Sequence, residues 1–269
     1  MPPGGFPIDG RLFLDAGFML LVAALLSILG GSIHRAAVRL GWSSARRYRL
    51  LGGYLAVVAT VLCLDAVASA SGWTVRWTDL PPRIPALALS ALFLAGAALA
   101  TRDARALLEG SSGALFVGFQ IFRLPLELIL FALHRQGRLP VQMTFEGRNL
   151  DVLVGLTAPL VAWALSRGKI GWRTVLVWNL ASVCLLVNIT TVAVRSAPGP
   201  LFAFPEAVPN TLVALLPYVW LPGVLVPVAY LGHFLSIGWA LRERRRGVNV
   251  VGESHAPDRD ERPARTTAS

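Results

Sequence analysis

The chain has 269 residues, of which 55% are hydrophobic and 15% charged, and a formal net charge of +10; its mean hydropathy is +0.60. That balance lies far outside a soluble globular domain and places the chain among integral membrane proteins, with the lipid bilayer as its first partner. A nucleic-acid partner would need a basic face on a soluble fold, whereas here the charges fall in the gaps between apolar runs, so no nucleic acid is expected.

Seven apolar runs approach the ~20 residues of a bilayer crossing: 12–33, 50–71, 84–101, 113–133, 150–165, 175–194 and 212–240. The expected fold class is therefore all-α, a polytopic bundle of seven transmembrane helices over residues 1–241. The opening MPPGGFPIDG has no basic n-region and leads into a long first run, so the first helix is expected to stay in the mature protein. Of the 25 basic residues, seventeen lie in one alternating set of connecting segments and seven in the other, with Arg123 inside a run. The positive-inside rule then places the N-terminus outside and the C-terminus in the cytoplasm. Residues 242–269 begin RERRR and continue polar, which predicts a disordered basic cytoplasmic tail.

The fourth run carries the most expensive residues. Gln120, Arg123 and Glu127 lie in its interior and His134 at its end. At about 100° per residue these four share one sector of roughly 60°. A central Arg costs about 2.5–3.5 kcal/mol on insertion scales, so such a stripe marks a functional site when a partner can be named. Asp65 in the second run and Glu127, one turn along the same helix, are the two partners the sequence offers for Arg123. Pro125 falls on the opposite side, where a kink leaves the stripe uninterrupted.

The loop from His134 to Asp151 holds His134, Arg135, Arg138, Glu146, Arg148, Asn149 and Asp151 around Pro140, Met143 and Phe145. Its mixture of charge and apolar residues suits a loop folded over the mouth of a bundle, and loop plus stripe form the best candidate pocket. In the sixth run Asn179 is followed by Cys184, Asn188, Thr191 and Arg195 at helical spacing, a second polar stripe or simply helix-to-helix hydrogen bonding. Asn188 opens a glycosylation sequon, but one inside a span is out of the transferase's reach. The seventh run repeats Pro217, Pro222 and Pro227 every five residues, with Gly223 after the middle one; a kink or break is expected there. Cys63 and Cys184 have no ligand spacing, and His34, His134 and His233 sit in no spaced motif. No cofactor and no metal are expected. A lysine for a retinal Schiff base is missing from the seventh run, and no hydrolase motif such as GxSG or HExxH occurs.

Three passages resemble an uncharacterised group of bacterial polytopic integral membrane proteins: FRLPLELILFALHRQGRLPVQMTFEGRNLDVLVGLTAP, VWNLASVCLLVNITTVAVRSAPGP and PNTLVALLPYVWLPGVLVPVAYLGH. The resemblance covers about the C-terminal half; it implies a bacterial inner-membrane location and no particular activity, ligand or catalytic residue. Three readings remain. The first is an inner-membrane protein that binds or translocates a small polar or anionic solute, or a proton, through Gln120, Arg123, Glu127 and Asn188. The second is a membrane enzyme working on a lipid or isoprenoid head group at the outer face, with Glu127 or Glu146 as base, His134 as acid and Arg138 or Arg148 holding an anionic group. The third is an assembly factor whose buried charges, Asp65 included, only fix helix register.

Overall fold

A computed structural model of the chain describes residues 8–253, with side chains from 10 to 246. The described residues form helices joined by turns and irregular segments, with no strand among them. Helix α1 (Ile8–Arg39) turns back at Gly41, whose φ of +68° suits a residue without a Cβ, into α2 (Ser44–Ala70). Then come α3 (Arg83–Leu99), α4 (Arg102–Glu109), α5 (Gly113–Gly118) and α6 (Arg123–Arg135). The last three are α7 (Asp151–Ser166), α8 (Trp172–Ser196) and α9 (Val226–Glu253).

Five stretches are long and apolar enough to cross a membrane: Gly10–Arg39, Ser44–Ala70, Gly113–Arg135, Trp172–Ser196 and Leu221–Arg246. A sixth crossing results if α3 and α4 count together, although they meet at 83°. The bend has a local cause. Thr101 ends α3 and its hydroxyl accepts from Ala104 N at 3.3 Å, capping a new helix with Asp103 in its first turn. α4 then buries Leu107 against Ala36 and Ala37 of α1 and ties Asp103 to Arg46 at 2.7 Å. The seventh expected crossing, α7, has only 16 residues.

Burial is inverted relative to a soluble protein. Leu20 is 70% exposed and Phe93 76%, while Gln120 and His233 are fully buried and Arg123 is 2% exposed. Apolar side chains on the outside and ionisable ones inside are what a hydrocarbon solvent selects. The core joins Phe18 and Val22 of α1, Leu126 and Leu130 of α6, Leu186 and Ile189 of α8, Leu225 just before α9, and Ala229 of α9. Cys63 and Cys184 are free thiols on outward faces rather than core packing. Aromatic rings carry cations near the helix ends: Arg46 lies 3.7 Å over Trp42 and Lys169 4.3 Å over Trp163 at the Arg-rich end, and Arg83 4.6 Å over Trp73 at the other. Such pairs suit the boundary between hydrocarbon and water.

The shortness of α7 positions the site. Gly155 of α7 lies against the backbone of Leu124, and Ala162 against Gly118, so the two stretches run antiparallel with Asp151 level with the middle of Gly113–Arg135. The space above α7 is filled by residues 136–150, which fold back into the bundle and bury Leu139, Met143, Thr144 and Asn149. Their backbone is satisfied locally, Thr144 N donating to Val141 O at 2.9 Å and Asn149 N to Thr144 O at 3.1 Å, as irregular chain at that depth requires. A second return segment precedes α9. The expected helix over 212–240 begins only with a π turn at Leu221–Leu225, preceded by a 3-10 turn at Leu212–Ala214. Pro217, Pro222 and Pro227 each lack the donor a regular α-helix would use there. At the other end α9 stays helical to Glu253, twelve residues into the stretch expected to be disordered; residues 254–269 lie outside the described part of the chain.

Candidate functional site

Pro125, third in α6, cannot offer an amide to Ile121 O, and the four residues before α6 tighten into a 3-10 turn, Phe119–Phe122. That turn carries Gln120 toward α9, where Nε2 donates to Ala229 O at 3.0 Å. Gly232 makes the approach feasible, since a Cβ there would stand 2.5 Å from Gln120 Nε2. Pro125 itself is exposed on the far side, and the stripe of Gln120, Arg123 and Glu127 faces inward as its spacing predicts.

The partner of Arg123 is neither of the two expected acids. Nη2 lies 3.2 Å from Asp151 Oδ2, with both side chains nearly fully buried. Nη1 lies 3.5 Å from His233 Nε2. The histidine's tautomer follows from its other neighbours. Asn179 Nδ2 donates to Val175 O and to Ser236 Oγ, each at 2.8 Å, so Asn179 Oδ1 is left to accept from His233 Nδ1 at 2.9 Å. Nε2 then presents its lone pair to the guanidinium. Glu127 is held from the folded-in loop: Asn149 Nδ2 lies 2.7 Å from both carboxylate oxygens and 3.1 Å from Met143 O, while Asn149 Oδ1 accepts from Asp151 N at 3.0 Å. One asparagine thus fixes Glu127, the loop and the start of α7. Replacing Asn149 with Leu is expected to cost about 1.5–3 kcal/mol, the scale of a charge-assisted hydrogen bond, read as a drop in thermal unfolding temperature; an unchanged melting temperature would remove Asn149 from the network.

The remaining expected residues lie apart from this cluster. Asp65 is buried in α2 with Oδ2 unpartnered, seated against Gly223 of the π turn, where a Cβ would stand 1.9 Å from it. Asp65 therefore sits against the π turn and is not paired with Arg123. Asn188 points outward and donates to Arg148 O at 2.8 Å, tying the loop to α8; Cys184, Thr191 and Arg195 share its exposed face. His134 Nδ1 donates to Leu139 O at 3.0 Å, Arg138 pairs with Asp15 at 3.1 Å, Glu146 is exposed, and Arg148 lies over Phe204. Asp15 also accepts from Tyr218 Oη at 2.6 Å.

A cavity of about 320 Å³ opens onto the cluster, at the lower end of the range for small-molecule sites. Leu126 and Leu130 of α6, Leu225 of the π turn and Ala229 of α9 form its back, and α3 and α8 flank it. Arg123, Glu127, Asn149 and Asp151 converge at one end, and Arg76, Trp77 and Arg83 stand at the other. Asp151 Oδ1, Gln120 Oε1 and Arg123 Nη2 have no hydrogen-bond partner, although Nη2 is ion-paired with Asp151 Oδ2. Among the described residues no group of three or more His, Cys, Asp or Glu side chains could hold a metal ion.

Residues 83–241 match the family model described as Domain of unknown function (DUF8737). The chain belongs to this family. The DUF8737 match begins with α3 and ends within α9, so it contains the whole cluster from Gln120 to Ser236 and the four helices that line the cavity, whereas Arg76 and Trp77 at its other end, and α1 and α2 with Asp15 and Asp65, precede it. No curated protein and no solved structure matches the chain.

The sequence places Asp151 in the loop beside the stripe and Asn179 in the sixth run, but it does not pair Asp151 with Arg123 or bring Asn179 and Ser236 to the site, and His233 is weighed only as a metal or haem ligand. Two signals were legible: Asp151 opens an apolar run too short to cross a bilayer by itself, and Asn179 and Ser236 are polar residues inside spans.

Proposed function

We propose that the protein is an integral protein of the bacterial inner membrane, its seven apolar segments crossing with the N-terminus outside, that binds a small polar solute or a proton at the Arg123–Glu127–Asp151 cluster. The observation that carries the reading is the cavity: apolar over most of its wall, it ends on ionisable side chains, one of which presents an unpartnered oxygen. The placement of Arg35, Arg39, Arg46 and Arg102 at one end of the bundle supports the orientation.

The geometry also favours one class of solute. The guanidinium that would attract an anion is already ion-paired with Asp151, and Asp151 Oδ1 beside it is an acceptor without a partner. A solute offering a hydrogen-bond donor fits better than the anion expected from Arg123 alone. The outer-face enzyme gains no support, because Glu146, His134, Arg138 and Arg148 engage separate partners or solvent.

The test is a thermal-shift screen of detergent-purified protein against amines, alcohols, carboxylates and phosphates, run beside Asp151→Asn. Donor solutes are expected to stabilise the parent, by about 2.7 kcal/mol at a hundredfold excess over Kd, and to leave the variant's melting temperature unmoved. Equal responses of parent and variant, or stabilisation by anions alone, would overturn the reading.

A further inference from the structure

The cavity has a side as well as a mouth. α3 packs along α9 and the π turn, and α8 packs along α9, but α3 and α8 form no extended interface with each other. The cavity occupies the gap between them, bounded by Ala88 and Leu89 of α3 and by Ala193 and Val194 of α8. Leu89 is 65% exposed, so this gap opens on the surface that hydrocarbon would cover. A water-soluble ligand has no use for such an opening.

The charges add a second constraint. Glu127 and Asp151 face the single guanidinium of Arg123, and His233 presents a lone pair to it, so the cluster holds one more acidic than basic side chain, and Asp151 Oδ1 is an acceptor without a partner. The mouth is of the opposite sign. Arg76 stands there exposed, and Arg83 is engaged by Asp79. A cation approaching from water meets the exposed Arg76 before it reaches the acidic end; one arriving through the side does not.

We infer that the ligand is an amphiphile with a cationic, hydrogen-bond-donating head, which enters from the bilayer between α3 and α8, sets its head against Asp151 and Glu127, and leaves its apolar chain in the gap beside Ala88 and Ala193. The inference rests on the polar-site reading above and names both the class of ligand and its route.

The experiment uses the full chain in lipid nanodiscs with three photoreactive probes carrying a diazirine: a long-chain primary amine, the matching carboxylic acid, and a short-chain, water-soluble amine. After irradiation, labelled peptides are mapped in the parent, in Asp151→Asn, and in Ala88→Trp/Ala193→Trp, which narrows the gap. Ala88→Leu/Ala193→Leu is made alongside in case the bulkier pair does not fold. In the parent, the long-chain amine is expected to label α3, α6 and α8 about tenfold more than the acid, the ratio that ~1.4 kcal/mol of preference gives. Narrowing the gap should remove long-chain labelling of α6 and spare that by the short amine, and Asp151→Asn should reduce both amines. Undiminished long-chain labelling in both narrowed variants would overturn sideways entry. Equal labelling by acid and amine would overturn the cationic head. Failure of Asp151→Asn to affect either amine would sink the polar-site reading itself, and the inference with it.

Discussion

Arg123→Met will destabilise the protein by about 3–5 kcal/mol, because it leaves Asp151 and Glu127 facing each other in a buried site with no cation between them. The size of the loss comes mainly from the stranded carboxylates and only in part from the lost hydrogen bonds. A second change that removes one of those carboxylates should therefore restore much of what the first took away. In a double-mutant cycle, Arg123→Met/Asp151→Leu is expected to unfold at a higher temperature than Arg123→Met alone, with a coupling well above ~0.5 kcal/mol, the scatter for independent sites. Circular dichroism melting in detergent reads the effect. A double variant no more stable than the single one would mean that Asp151 is not the partner that matters.

The second large effect is steric. At Gly155 an added Cβ would stand 2.5 Å from Leu124 N and 3.0 Å from Leu124 Cα. These are backbone atoms of another helix and cannot swing aside as a side chain can. Gly155→Ala therefore has to push α7 away from α6, an overpacking change of about 1–3 kcal/mol. Asp151, one turn before Gly155, moves with the helix and is drawn off Arg123. Gly118→Ala is the matched control on the same interface, since its Cβ would meet only the Ala162 methyl at 3.3 Å. Gly155→Ala should lose distinctly more stability than Gly118→Ala, and should lose ligand-dependent stabilisation with it. Equal behaviour of the two would show that the backbone approach at Leu124 is not what sets the position of α7.

What could be read from residues alone was periodicity. The stripe Gln120, Arg123, Glu127 is a property of one helix, and it faces inward because no other face of that helix is polar. The broken start of α9 follows likewise from Pro222 and Gly223. Pairing is different, since it depends on which other segment arrives at the same depth. Asp65 and Glu127 were natural partners for Arg123, one by depth and the other by helical spacing. Asp151 won because residues 136–150 fold back and set the start of α7 halfway along α6, a tertiary arrangement with no local signature beyond the shortness of the run. The second stripe failed for the same reason: Asn188 and Thr191 keep helical spacing, but their face of α8 is turned outward, and it is Asn179, Ser182 and Ser196 that look into the bundle. Helical spacing tells which residues share a face; it does not tell which face the neighbours will cover.

The folded-in loop also constrains how the protein can be made. At ~1.5 Å per residue, α7 reaches about 24 Å, short of the ~30 Å hydrocarbon core, and an acidic residue stands at its leading end. Released on its own into lipid during synthesis, α7 would hold Asp151 at a depth where neither water nor a cation is present. The counter-charge lies on α6, which leaves the ribosome first. α6, the intervening loop and α7 must therefore be retained together until Arg123 and Asp151 meet, and enter the bilayer as one hairpin. The step of biogenesis most exposed to failure is then this joint entry, and a chain interrupted between residues 136 and 150 would strand its second half outside the bundle.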